Sequence, residues 1–143
     1  MGRQDCSALV AKWKRRLGLQ DWTVELEAVE SRLVDHTNDN IGLCWRSTDE
    51  RRVRITIAVD QSPDNVERTV IHELLHARMY PLELAVKAAA DQLGDQAAEI
   101  TQARYGYEEH TLIEDIVFAL MPGTDGGDDL IITDGEGETD GGD

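Results

Sequence analysis

In the stretch VIHELLHARM, Val70 to Met79, two histidines stand four residues apart and a glutamate follows the first. On a helix, positions four apart share a face, one turn above the other. His72 and His76 can therefore aim two imidazole nitrogens at one point. Zinc takes nitrogen ligands at about 2.0–2.1 Å in a tetrahedron, and a catalytic zinc keeps one position open for water. Glu73 is rotated by about 100° from His72. It is badly placed as a ligand but can reach a water on the metal. Zinc lowers the pKa of such a water from about 15.7 to about 7, and a carboxylate beside it can take the proton during attack on a carbonyl. The spacing thus predicts a metal-assisted hydrolase, with His72 and His76 as metal ligands, Glu73 as the catalytic base and Zn2+ as the cofactor.

The bland reading is a core helix that carries two histidines by chance, because HExxH fixes only three of five positions. The neighbours weigh against it. Val66, Val70, Ile71, Leu74, Leu75 and Met79 mark this helix as a buried one. Two histidines and a glutamate in such surroundings are costly without partners, and a metal is one partner that serves all three.

A catalytic zinc expects three protein ligands. Candidates for the third lie in GYEEHTLIEDIVFAL, Gly106 to Leu120. On a helical wheel at about 100° per residue, Leu112, Ile113, Ile116 and Leu120 gather around Glu109. That places Glu109 on a buried stripe, where an unpaired carboxylate is expensive, and makes it the leading candidate. His110 is next, and Glu108 and Glu114 remain open, with a surface role favoured for both. A developing oxyanion needs a donor besides the metal. Tyr80, Tyr105, Tyr107, Arg78 and His36 are available; Tyr107 is nearest to Glu109 in sequence and is the candidate catalytic donor, with a packing role as its alternative.

TVIHELLHA resembles the signature helix of the zincin metallopeptidases. The order of elements is similar to that of compact, phage-associated or minimal gluzincin-type zinc peptidases. The likeness runs from about Val10 to Leu120, and only HELLH within it is highly specific. It implies an α+β, zincin-like fold: a small mixed or antiparallel sheet packed on the HExxH helix, with further helices after it. It implies hydrolysis of a protein or peptide substrate, with Val53 to Val59 as the sheet edge that pairs with the substrate; a plain core strand is the alternative for the same residues. The same residues also fit a zinc-binding protein of this fold without catalysis, in a regulatory role. Larger gluzincins carry an Asp four residues after the ligand Glu, and it orients a zinc-bound histidine. Here Ile113 stands four after Glu109, which leaves Asp115 or Glu114 for that role.

The elements that must position these residues follow from periodicity. Leu9, Val10, Trp13 and Leu17 recur at helical spacing, so a helix is expected from about Asp5 to Leu17, capped by Asp5 or Ser7 and closed by Gly18. Asp21 to Glu30 alternates as a half-buried strand. Asp35 to Asn40 carries turn chemistry. Ile41 to Arg46 is a second strand, and the β-branched run Val53 to Val59 a third. Ser62 and Pro63 suit the cap and first position of the HExxH helix. That helix is expected to stop before Pro81. A helix from Leu82 to Leu93, a short one from Asp95 to Arg104, a break at Tyr105-Gly106-Tyr107 and a last helix from Glu108 to Leu120 complete the domain.

The chain has 143 residues, enough for one core, and 41% of them are apolar. Residues 1–121 read as the domain, and 122–143 as an acidic Gly/Asp-rich tail expected to be disordered. The net charge of −15 argues against nucleic acid as a partner. No run reaches the roughly 18 apolar residues of a spanning helix, no secretory signal stands out, and two cysteines are too few for a disulfide framework. A cytoplasmic location is expected, in the host if the chain is phage-encoded.

Overall fold

The computed structural model describes residues 2–30, 42–47 and 49–122, the second stretch through its backbone alone. Along the chain lie α1 (Arg3–Arg16), β1 (Thr23–Val29), β2 (Gly42–Ser47), β3 (Arg52–Ala58), α2 (Pro63–Ala90) and α3 (Asp95–Leu120). Among the described residues this is an α+β arrangement of three helices and one three-stranded mixed sheet. The expected turn at Asp35 to Asn40 and the tail from Gly123 onwards lie outside the described residues.

The sheet order is β1-β3-β2, with β1 parallel and β2 antiparallel to β3. Val53 to Val59 was expected at the sheet edge. The strand it forms is instead central, hydrogen-bonded on both sides, so its backbone has no free edge to offer a substrate. Its sequence explains this. Val53, Ile55 and Ile57 alternate inward and are fully buried, while Arg52, Arg54 and Thr56 point the other way. Burying each of these aliphatic side chains contributes about 1.5–3 kcal/mol. On the open face, Arg54 donates to Glu25 at 3.2 Å and Thr56 to Glu27 at 3.0 Å across the β1–β3 pair. Exposed contacts of this kind add at most about 1 kcal/mol each, so the buried row dominates.

The helices cover the inner face of the sheet. Val66, Val70, Ile71, Leu74 and Leu75 of α2 are buried, as their spacing predicts, and join Cys6, Val10 and Trp13 of α1 in one core. Trp13 Nε1 donates to Glu67 of α2 at 2.6 Å, and Lys12 Nζ donates to the same oxygen at 2.8 Å. The basic side of α1 is therefore partly a clamp on α2 rather than only a solvated face. Cys6 is a free, buried thiol that burial pushes above its usual range.

Ser62 caps α2 as expected, accepting from the Asn65 backbone N–H at 3.3 Å, with Pro63 following. α1 differs: Gly2 is its N-cap and no side chain caps it. Gly18, at φ 75°, closes the turn after α1 in a conformation that favours glycine.

Two expected breaks are absent. α2 runs unbroken through Pro81 to Ala90. Proline removes one helical hydrogen bond and crowds the carbonyl four residues back. The Ala-rich stretch beyond it has high helix propensity, and α3 packs along it. α3 likewise passes straight through Tyr105-Gly106-Tyr107, because one glycine inside a helix costs only about 1 kcal/mol. Two long helices replace the four shorter ones expected after β3. Among the described residues no helix is long and apolar enough to cross a membrane.

Candidate metal centre

The chain reverses at Asp91–Gly94, where Gly94 adopts φ 91°. α3 therefore runs back along α2, and two residues of each helix meet. His76 Nδ1 lies 2.7 Å from Glu109 Oε2, and His72 Nδ1 lies 2.7 Å from Glu114 Oε2. On the other side of the rings, the two Nε2 atoms face each other at 3.2 Å. The ring centroids of His72 and His76 are 4.9 Å apart.

The protons follow from the partners. A carboxylate can only accept, so each Nδ1 carries the hydrogen it donates. A neutral ring in that tautomer presents a lone pair at Nε2, and here two such lone pairs point at each other. Burial first, and the neighbouring His76 next, hold the His72 imidazolium below the ordinary histidine range against the pull of Glu114. The separation also matches what a divalent cation would require. Two ligands at about 2.0–2.1 Å from one tetrahedral ion stand about 3.3–3.4 Å apart, close to the observed separation. The carboxylates on the outer nitrogens complete the carboxylate–histidine arrangement that orients metal-ligating imidazoles.

No family model, curated protein or solved structure matches this chain. The case for a function rests on the geometry of these side chains.

Glu73 is only 7% exposed, on the next residue after His72. Glu109 is buried at 6%, as the wheel predicts, in a row with Ile113 and Val117. Leu112 and Leu120, which the wheel also placed on that row, are exposed. The Glu109 carboxylate meets the outer nitrogen of His76, away from the point where the Nε2 atoms converge. His110 stands beside His72, ring centroids 5.7 Å apart. Among the described residues, His72, His110 and Glu114 each offer one donor atom within 4.8 Å of the others'. Glu108 pairs instead with Arg104 on the exposed side of α3, at 2.7 Å.

Tyr107 is 63% exposed. Two residues before Glu109 on a helix is about 200° around the axis, so nearness in sequence puts it on the far face. Tyr105, one turn before Glu109, is on the near face, and its hydroxyl oxygen is buried. It lines a cavity of about 280 Å³ together with His76, Glu83, Lys87, Gln102 and Glu109. The signal that favours Tyr105 over Tyr107 is the four-residue spacing to Glu109, readable only once the helix is known to continue through Gly106.

Proposed function

We propose that the chain is a zinc-dependent peptide hydrolase whose metal sits between His72 and His76. The observation that carries this reading is the pair of Nε2 atoms facing each other at 3.2 Å while both Nδ1 atoms are tied to carboxylates. A cation between the two nitrogens would satisfy both lone pairs at once. When bound, zinc supplies a Lewis acid that polarises a carbonyl and makes water acidic enough to deprotonate near neutral pH.

The protein's own groups do the rest. Glu109 and Glu114 fix the tautomer and direction of the two imidazoles. Glu73 takes the proton of the attacking water and hands it to the leaving amine, the ordinary double duty of one carboxylate in amide hydrolysis. The substrate backbone pairs with β2. Among the described residues this strand is hydrogen-bonded to β3 on one side only, and it packs beside α2, so its outer edge can offer donors and acceptors that β3 lacks. The acidic composition favours basic or unfolded segments as substrates.

The test is the chain purified without added metal, beside Glu73→Gln. Both should hold one equivalent of zinc. Wild type should hydrolyse an unfolded basic polypeptide, and Glu73→Gln should be slower by roughly 10²–10⁴-fold, the usual contribution of a general base. Equal turnover in the two chains would overturn the role of Glu73. Metal without any turnover would leave a zinc-binding protein.

A further inference from the structure

We infer that His72, His110 and Glu114 form a second divalent-metal site, on the side of the His72 ring away from His76, so that His72 carries one ion on each of its two nitrogens. This rests on the zinc reading above and adds a second ion to it.

The donor atoms already gather there. One nitrogen of His72, one of His110 and one carboxylate oxygen of Glu114 all lie within 4.8 Å of one another. Glu114 Oε2 is 2.7 Å from His72 Nδ1, and the ring centroids of His72 and His110 are 5.7 Å apart. Ligands of one tetrahedral ion at 2.0–2.1 Å stand about 3.3–3.4 Å apart. The group must therefore close by no more than about 1.5 Å. The side chains that have to move are the ones with room to do so, because His110 is exposed and Glu114 is half exposed.

His110 and Glu114 are four residues apart on α3, hence one above the other on a single face, as His72 and His76 are on α2. Glu109 has no part in this group. It is 6% exposed and held 2.7 Å from His76 Nδ1.

The two nitrogens of an imidazole point to opposite sides of the ring. His72 Nε2 faces His76 at 3.2 Å, and its Nδ1 faces Glu114. An outer ion takes the place of the hydrogen on Nδ1, and that proton leaves to solvent, as when any protonated ligand binds a metal. The ring then bridges two ions about 6 Å apart, from its own width and two nitrogen–metal distances of 2.0–2.1 Å. Two double charges at that distance repel, which in bulk water already weakens the second by roughly 100-fold. The charges of Glu114 and of the deprotonated ring offset part of this. Two ring nitrogens and a carboxylate suit zinc, copper or nickel rather than calcium or magnesium.

The experiment is a calorimetric zinc titration of the metal-free full chain beside His110→Ala, with circular dichroism to confirm the fold of both. His110 is at the surface, so its loss leaves the core intact. Wild type should bind zinc in two steps, the second weaker by roughly 100-fold. In NMR the second step should shift the ring signals of His72 and His110 together. His110→Ala should keep the first step and lose the second. A single step in wild type would overturn the outer site while leaving the zinc reading intact. So would a second step that survives in His110→Ala, which marks adventitious binding to surface carboxylates. A first step lost in His110→Ala would also overturn it, by placing His110 on the inner ion. A wild-type chain that binds no zinc would overturn both.

Discussion

His72 Nδ1 and Glu114 Oε2 stand 2.7 Å apart across the α2–α3 hairpin, with the carboxylate half exposed and the ring mostly buried. The exposed partner can be removed without opening the core. Glu114→Ala should leave thermal stability within about 0.5 kcal/mol of wild type, the usual range for a surface change. It should weaken zinc binding by roughly 10–100-fold. A chelator titration reads this directly, and an unchanged affinity would show that the carboxylate does not orient His72.

Glu67 is placed about a turn and a half before His72 on α2 and receives both the Trp13 indole and the Lys12 ammonium. Trp13 is 4% exposed, so its N–H has no ready access to water. Trp13→Phe removes that donor and keeps much of the ring. A hydrogen bond to a charged group is worth about 1.5–3 kcal/mol, and Lys12 remains, so a loss of about 1–2 kcal/mol in urea unfolding is expected. A neutral result would mean that Lys12 alone holds α1 to α2.

The same clamp gives a pH dependence. Burial pushes the Glu67 carboxyl up, but Lys12, Trp13 and Arg16 together outweigh it and hold the group below the usual glutamate range. The unfolded chain then binds this proton more readily than the folded one. Stability from Glu67 is fully present above the unfolded value near pH 4.3 and is lost as pH falls below it, through the depressed folded value. Glu67→Gln should flatten the acid limb of a stability–pH curve in that window and leave the shape near pH 7 unchanged. An acid limb identical to that of wild type would refute the linkage.

Pro81 lies inside α2. A proline in a helix interior costs about 3 kcal/mol relative to alanine, partly offset by its smaller unfolded-state entropy, worth about 0.4–1 kcal/mol. Pro81→Ala should therefore stabilise the chain by about 2–2.6 kcal/mol, seen as a higher melting temperature. Destabilisation would show that a bend at Pro81 is what brings the second half of α2 against α3.

The strands and the first helix were legible in the sequence because each is written in local alternation or periodicity, and their observed ends fall within a few residues of those expected. The long helices were not. Pro81 and Gly106 each carry a local preference against helix, and that preference is a few kcal/mol at most. Packing between α2 and α3 involves residues far apart in the chain, and no local window contains it. The central place of β3 was hidden for the same reason, since strand order is a matter of pairing between distant segments.

The sequence by itself determined that His72, Glu73 and His76 share a buried helix, because residue spacing on a helix is fixed geometry. It also determined that Glu109 is buried, because it sits in an apolar row. Only the tertiary structure decided which nitrogen each carboxylate meets. That depends on the antiparallel setting of α3 against α2, which brings Glu114 to His72, Glu109 to His76 and His110 to the side of the pair. A hydrogen bond at Nδ1 and a lone pair at Nε2 differ by a ring's width, a distance that residue order cannot specify and helix packing can.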